Sequence, residues 1–344
     1  MRVAIVTTQV PFVRGGAELL CDGLQAAMLA AGHEAEIVAI PYKWYPATQI
    51  PEQMLAARLV RLTDRTDRMV GIKFPAYLVP HPSKRLWLAH QHRAAYDFWD
   101  QPGCDLRAAP DGAHVRSAIH TADAALLGEC EAVFTISRVV SARLLRHNGV
   151  VAEPLWHPPP GADALGPLGY DGPILFPGRI NPSKRQHLAI EALALTRQPV
   201  RLAFFGAADA PDYDRATRAR CTALGLDGRV DWHGAVSETE RLDLYGNCLA
   251  VMFVPIDEDL GYVTLEAMLC AKAVLTASDS GGPLDFVEDG QTGCVRHPDV
   301  VQMAEAMDQL WSDRARTRAM GRAGHARYAD MRLGWSRVLE CLLD

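Results

Sequence analysis

The chain is expected to form two α/β domains in succession, each an open, doubly wound parallel sheet. Three observations predict this. At 344 residues it is too long for one ordinary core and fits two of roughly 150–180 residues each. Short apolar runs alternate with amphipathic stretches at helical spacing from end to end, the pattern of repeated βα units. A proline- and glycine-rich segment, residues 155–168 with Pro158, Pro159, Pro160, Gly161, Gly166 and Pro167, interrupts this alternation midway and reads as a linker.

Composition narrows the class. With 49% hydrophobic and 22% charged residues, the chain resembles ordinary globular protein. A net charge of -6 argues against a generic nucleic-acid surface. No apolar run approaches spanning length, and residues 1–7 read as a strand rather than a signal peptide, so a cytoplasmic protein is expected. The 8 cysteines are scattered without a Cys-x-x-Cys, which favours reduced core thiols over zinc or disulfides.

In the first half, residues 2–7 form a strand, and Gly15, Gly16, Ala17 and Glu18 open a helix that closes at Gly32 before a strand at 35–40. The glycines occupy the crevice turn of a βαβ unit, but Gly-x-Gly-x-x-Gly is absent, which weakens a nicotinamide reading. Residues 41–50 form a proline-bounded loop with aromatics. Residues 54–62 read as amphipathic, with Leu55, Leu59 and Leu62 on one side and Arg58, Arg61 and Arg65 on the other. This helix reads as a solvated face, with an anionic lipid surface as the alternative. Strands are expected at 69–73 and 86–89. His90 then lies at a strand's carboxyl end, where it could meet a reacting hydroxyl or serve as a hydrogen-bonded core residue. A helix at 115–127, a strand at 132–136 and a Ser137-capped helix to 148 complete this half.

The second half starts with a strand at 173–176, followed by Gly178, Arg179 and Lys184 in a turn before a helix at 185–195. Arg offers a planar fork and Lys a mobile point charge, a pair suited to a diphosphate. Further strands are expected at 201–205, 230–233, 249–254 and 273–276, alternating with helices through 310. After the strand at 249–254 come Glu258, Gly261, Tyr262, Val263 and Glu266. Gly261 lets backbone approach a ligand, and the first-turn amides of the following helix, at Tyr262 and Val263, provide a seat for anionic oxygens. Ionised carboxylates only accept hydrogen bonds, so two of them around such a seat ask for a ligand rich in hydroxyls. A nucleotide-sugar meets all of these requirements. The helix dipole alone would favour the same carboxylates, so the second basic cluster is what lifts the reading. Asp212 and Asp214 resemble an Asp-x-Asp metal signature, but no strand delivers them to a site. Helix capping explains them better, and no metal or other cofactor is expected.

The order of these motifs resembles glycosyltransferase family 4, retaining enzymes of GT-B architecture. It runs from Gly-Gly-Ala-Glu through Gly178, Arg179 and Lys184, then Glu258-x7-Glu266, to Gly281, Gly282 and Pro283. The resemblance implies two Rossmann-like domains facing a cleft, with boundaries expected at 1–157 on the acceptor side and 158–331 on the nucleotide-sugar side. A final helix within 332–344 would cross back to the first domain. It implies that Glu258 contacts the donor sugar, Glu266 the ribose, and Arg179 and Lys184 the diphosphate. Gly15 and Gly16 would bring backbone to the phosphate, and His90 would lie near donor sugar and acceptor. The implied activity is transfer from a UDP- or GDP-linked sugar to a glycan, lipid-linked or small-molecule acceptor. Partners would be limited to donor and acceptor, with peripheral membrane contact through the first domain at the inner face and no nucleic acid. Departures exist: Asp259 and Leu260 replace the usual Gly-Phe, and Asp285 stands where Glu is commoner. A nucleotide-sugar epimerase and a non-catalytic sugar-nucleotide module are the alternatives; donor turnover without acceptor and binding without turnover would identify them.

Overall fold

The computed structural model describes residues 1–101 and 103–344. The chain divides into two compact units, unit 1 comprising Met1–Pro160 and Gly334–Asp344, and unit 2 comprising Gly161–Leu333.

Unit 1 runs β1 (Arg2–Gln9), α1 (Gly16–Ala30), β2 (Glu34–Pro41), α2 (Ile50–Leu59), β3 (Arg68–Lys73), β4 (Lys84–His90), α3 (Asp105–Ala108), α4 (Gly112–Leu126), β5 (Ala132–Thr135), α5 (Arg138–Asn148) and β6 (Glu153–Pro154). Its strands are parallel in the order β2-β1-β3-β4-β5-β6. Successive strands step one way from β1 and the other way from β3, so the switch point of the winding lies between β1 and β3, where a ligand crevice is expected at the carboxyl ends. Ser137 caps α5 by accepting from the Val140 amide, satisfying a donor that the helix leaves open.

Unit 2 runs β7 (Ile174–Pro177), α6 (Gln186–Leu195), β8 (Leu202–Phe205), α7 (Pro211–Ala223), β9 (Val230–Gly234), α8 (Glu238–Asn247), β10 (Ala250–Met252), α9 (Tyr262–Leu269), β11 (Ala273–Ala277), β12 (Gly293–Arg296), α10 (Val300–Ser312) and α11 (Arg314–Asp330). The parallel order is β12-β11-β10-β7-β8-β9, with the switch point between β7 and β10. Alternation along each strand builds two cores. Ile174, Phe176, Leu202, Phe204, Ala250 and Met252 pack on one face with Leu193 of α6 and Met307 of α10. Leu175, Ala203, Val251 and Val274 pack on the other with Tyr245 of α8 and Ala267 of α9. Helices α8 and α9 therefore share a face.

The last helix, α12 (Trp335–Leu343), belongs to unit 1. It buries Val338, Leu342 and Leu343, and its Trp335 ring lies 6.3 Å from that of Trp87. Arg68 donates to the Leu342 carbonyl at 3.3 Å, and Arg85 to that of Cys341; both cations thus meet the negative end of the helix.

Several sequence expectations are corrected. In α2 the buried face is Ile50, Met54 and Ala57, whereas Leu55 and Leu59 are 62% and 65% exposed. The helix spans Ile50–Leu59 rather than 54–62, and the face it packs inward carries Ile50, Met54 and Ala57, which leaves the leucines outward. Arg58 is not a free surface charge, since it pairs with Glu129 at 2.9 Å. Asp212 and Asp214 do not cap α7: its N-cap is Ala210 without a side-chain bond. The two acids instead pair with Arg215 and Arg218 one turn on. Helix α11 and the short strands β6 and β12 were not anticipated. Among the described residues, no helix is long and apolar enough to cross a membrane.

Candidate functional site

The switch point of unit 2 gathers most of the residues singled out above. The chain leaving β7 carries Gly178, Arg179 and the single turn Pro182–Lys184. The chain leaving β10 carries Glu258 and then Gly261, the N-cap of α9. Backbone bonds stitch these loops together: the Ile256 amide donates to the Ser183 carbonyl at 2.8 Å, the Glu258 amide to Ser280 at 2.9 Å, and the Gly282 amide to Glu258 at 2.7 Å. Glu258 is thereby clamped between two neighbouring loops. Its carboxylate forms an ion pair with Lys184, whose ammonium also lies 5.5 Å from the centre of the Phe253 ring.

Two glycines allow this closeness. Gly261 has φ +84°, and a Cβ there would sit 2.9 Å from the Phe253 ring. Gly281 has φ +74°, and a Cβ would sit 2.5 Å from the Glu258 carbonyl oxygen. Side chains rarely tolerate that backbone region, and neither gap admits one. The result is a helix start with Tyr262 and Val263 in its first turn and the positive end of the dipole facing the loop that holds Glu258.

Arg179 is placed differently from Lys184. It is more than half exposed and pairs with Asp209, beyond β8, at 2.9 Å. The two cations thus meet separate carboxylates. The adjacent Arg185, absent from the sequence reading, grips Asp279 through two bonds of 2.7 and 2.6 Å. The Arg185 guanidinium holds the Asp279 carboxyl below its ordinary range.

Glu266 faces α8. It accepts from Arg241 at 2.9 Å and from the Tyr245 hydroxyl at 2.5 Å. Burial raises the Glu266 carboxyl, against the opposing pull of Arg241 and Tyr245. Burial also drives the Tyr245 phenol well above its usual range. Arg241 extends the network by a fork onto Glu238, at 2.9 and 2.7 Å. Sequence reasoning missed Arg241 and Tyr245, although their spacing from Glu238 along one helix face was a readable signal.

In unit 1, Gly15 caps α1 and its amide donates to the Glu18 carboxylate at 2.8 Å, while Gly16 is the first helical residue. Lys73, at the end of β3, reaches the other Glu18 oxygen at 2.7 Å. Burial alone would raise the Glu18 carboxyl, but Lys73 and the Gly15 amide outweigh it and hold it low. This cluster sits at the β1/β3 switch point, and Lys73 was missed because a lone lysine ending a strand carries no motif. His90 ends β4, and its Nδ1 donates to the Gln91 carbonyl at 2.8 Å, which fixes the orientation of the ring. Nearby His92 meets the Tyr42 hydroxyl at 3.2 Å, and burial lowers it to about 4.

Two doubly wound units with the carboxyl-terminal helix returned to the first define the GT-B architecture, and comparison with solved structures agrees. Sucrose-phosphate synthase from Thermosynechococcus elongatus superposes with a TM-score of 0.79 at 17% identity, covering 98% of this chain and 96% of that one. Anabaena Alr3699/HepE in complex with UDP-glucose gives 0.74 at 17% identity, covering 99% and 98%. Residues 170–327 match the family model of the glycosyl transferases group 1, and this segment holds Arg179, Lys184, Glu258 and Glu266. Among relatives, alpha-maltose-1-phosphate synthase of Mycolicibacterium smegmatis is 32% identical over 206 residues, 55% of this chain and 53% of its own. The human alpha-1,3/1,6-mannosyltransferase ALG2 is 29% identical over 182 residues, 49% of this chain and 44% of its own. The matches thus span about half the length of these curated relatives.

Proposed function

We propose that this chain is a retaining, metal-independent glycosyltransferase. It would move a hexosyl group from a UDP- or GDP-linked sugar to an acceptor hydroxyl, in glycan, glycolipid or polysaccharide assembly. The observation that carries the reading is the Gly261-started helix α9 beside the Lys184–Glu258 pair at the β7/β10 switch point. An anionic diphosphate suits that helix end. Lys184 has three N–H donors and gives one direction to Glu258, leaving the others for phosphate oxygen. Glu258 accepts from donor-sugar hydroxyls, Glu266 from the ribose, and Arg179 supplements the charge by exchanging Asp209 for phosphate. Gly15, Gly16 and His90 keep the roles that the resemblance gives them.

In the proposed reaction the acceptor oxygen bonds to the anomeric carbon on the face from which the phosphate oxygen departs. The bond electrons leave with the diphosphate, and the acceptor's proton passes to the departing oxygen. Lys184, Arg179 and the helix end stabilise the charge that builds there. The exposed Leu55 and Leu59, with Arg61 and Arg65 beyond them, would supply peripheral contact with anionic lipid at the inner face of a cytoplasmic membrane.

The Anabaena structure holds UDP-glucose, which makes it the first donor to try. The test is a thermal-shift screen of nucleotide-sugars, followed by anomeric NMR of the product formed with an acceptor panel. An axial donor bond should give an axial product bond. Inverted product would remove the retaining mechanism, and donor consumption independent of acceptor would remove transfer.

A further inference from the structure

Glu266 is held more firmly than a ribose contact alone requires. Glu238, Arg241 and Tyr245 lie on one face of α8, and that face meets α9 because both helices cover the same side of the sheet. Arg241 spans the gap: its Nε and Nη2 take both oxygens of Glu238, and its Nη1 takes one oxygen of Glu266. Tyr245 takes the other. Each Glu266 oxygen is therefore fixed by one protein donor. A carboxylate has about four acceptor directions, so one on each oxygen stays open, and 14% of the side chain remains exposed. Two open acceptor directions a carboxylate's width apart match the two adjacent hydroxyls of a ribose.

We propose that Arg241 is the positioning residue of the nucleoside end of the site, fixing Glu266 ionised and oriented to accept from a vicinal diol. This rests on the reading of Glu266 as the ribose contact. The charged and titratable groups around Glu266 are Arg241, Glu238 and Tyr245 from α8 and Cys270 at the end of its own helix. Arg241 is the only cation among these four. Without it, burial and the Glu238 charge would both favour the protonated acid, which presents a donor where the diol needs an acceptor.

The test is calorimetric titration of the full chain with uridine and guanosine diphosphate, each against its 2′,3′-dideoxy counterpart, at about pH 6, 7 and 8. For the native protein the ribonucleotide should bind at least ~10-fold more tightly than the dideoxy form, as hydrogen bonds to a charged group would give, with little change across that range. In Arg241→Met the preference should fall below about 3-fold near neutrality and grow as pH rises, and Arg241→Lys should restore part of it. A folded Arg241→Met that keeps the native preference at every pH overturns the proposal. Should that variant fail to fold, Arg241→Lys decides: it keeps a cation but loses the two-ended fork, and an unchanged preference overturns the proposal, whereas a drop of about 2- to 5-fold supports it. A native protein that binds both forms equally overturns the ribose reading of Glu266 and the proposal with it, a result visible before any variant is made.

Discussion

Lys184 and Glu258, separated by 74 positions in the chain, form an ion pair that joins the loop leaving β7 to the loop leaving β10. Those loops flank the switch point of unit 2, so the pair stands where winding direction opens a crevice. Replacing Lys184 with Ala should lower kcat by about 10²- to 10³-fold, the usual cost of losing one group that stabilises developing charge. The donor KM should change less, since the loss falls on the departing diphosphate. Steady-state kinetics with a turnover-competent donor would check this, and near-native kcat would end the cation's assigned role.

Gly261 offers a test of the anion seat that removes no charge. Its φ of +84° and the 2.9 Å gap to Phe253 mean that Gly261→Ala must strain backbone or displace the ring. A loss of about 1–3 kcal/mol in stability is expected, together with roughly tenfold weaker nucleotide binding as the helix start shifts. Gly228→Ala is the control, because open space surrounds that position; urea unfolding should barely distinguish it from the native chain. Equal behaviour of the two variants would remove the geometric requirement at Gly261.

Stability should respond to acid through buried histidine. His157 packs between Trp87, 5.0 Å away, and Trp335, 5.7 Å away, and burial lowers it to about 3. Below its ordinary value the unfolded chain takes up a proton that the folded chain refuses, so stability falls as pH drops from about 6.5 toward 3. Between pH 7 and 5 His157 should account for a loss of about 2 kcal/mol. His92, lowered to about 4, adds a contribution of the same sign. Asp123 acts oppositely: burial raises it to about 6, so its contribution is present in acid and is lost as pH rises through that value. The difference between native chain and His157→Gln, from denaturant unfolding at both pH values, isolates the histidine. Parallel pH dependence in the two would contradict the assignment.

Turnover should survive a chelator. The Asp212 and Asp214 carboxylates are engaged by Arg215 and Arg218 on α7, and the proposed charge stabilisation comes from Lys184, Arg179 and a helix end. Activity assayed before and after EDTA should agree within about twofold. Complete loss restored by a divalent cation would require a metal-assisted mechanism instead.

How much of this was legible beforehand follows from what each feature depends on. Lys184, Glu258 and Gly261 stand out in sequence because local chemistry marks them: a basic turn before a helix, an acidic turn, a glycine at a helix start. The order of the strands is a property of winding, and only that order brings Lys184 onto Glu258. The spacing of Arg241 from Glu238 marked a shared helix face, but its partner Glu266 was hidden because that contact arises where α8 packs beside α9, a relation set by which sheet face each helix covers. Leu55 and Leu59 were misread because apolar spacing marks a helix face without saying which face packs inward, and in α2 Ile50, Met54 and Ala57 take that place. Helix α11 escaped notice because its Arg-rich sequence shows little apolar periodicity, and it is held by the small contacts of Gly321, Gly324 and Met320.

A crystal structure of the full chain with a bound nucleoside diphosphate most directly tests the central claim that the β7/β10 switch point holds the donor. The expected result places phosphate oxygens against the first turn of α9, within hydrogen-bond reach of Lys184, and the ribose hydroxyls on Glu266. A diphosphate bound elsewhere, with the Lys184–Glu258 pair untouched, would contradict it.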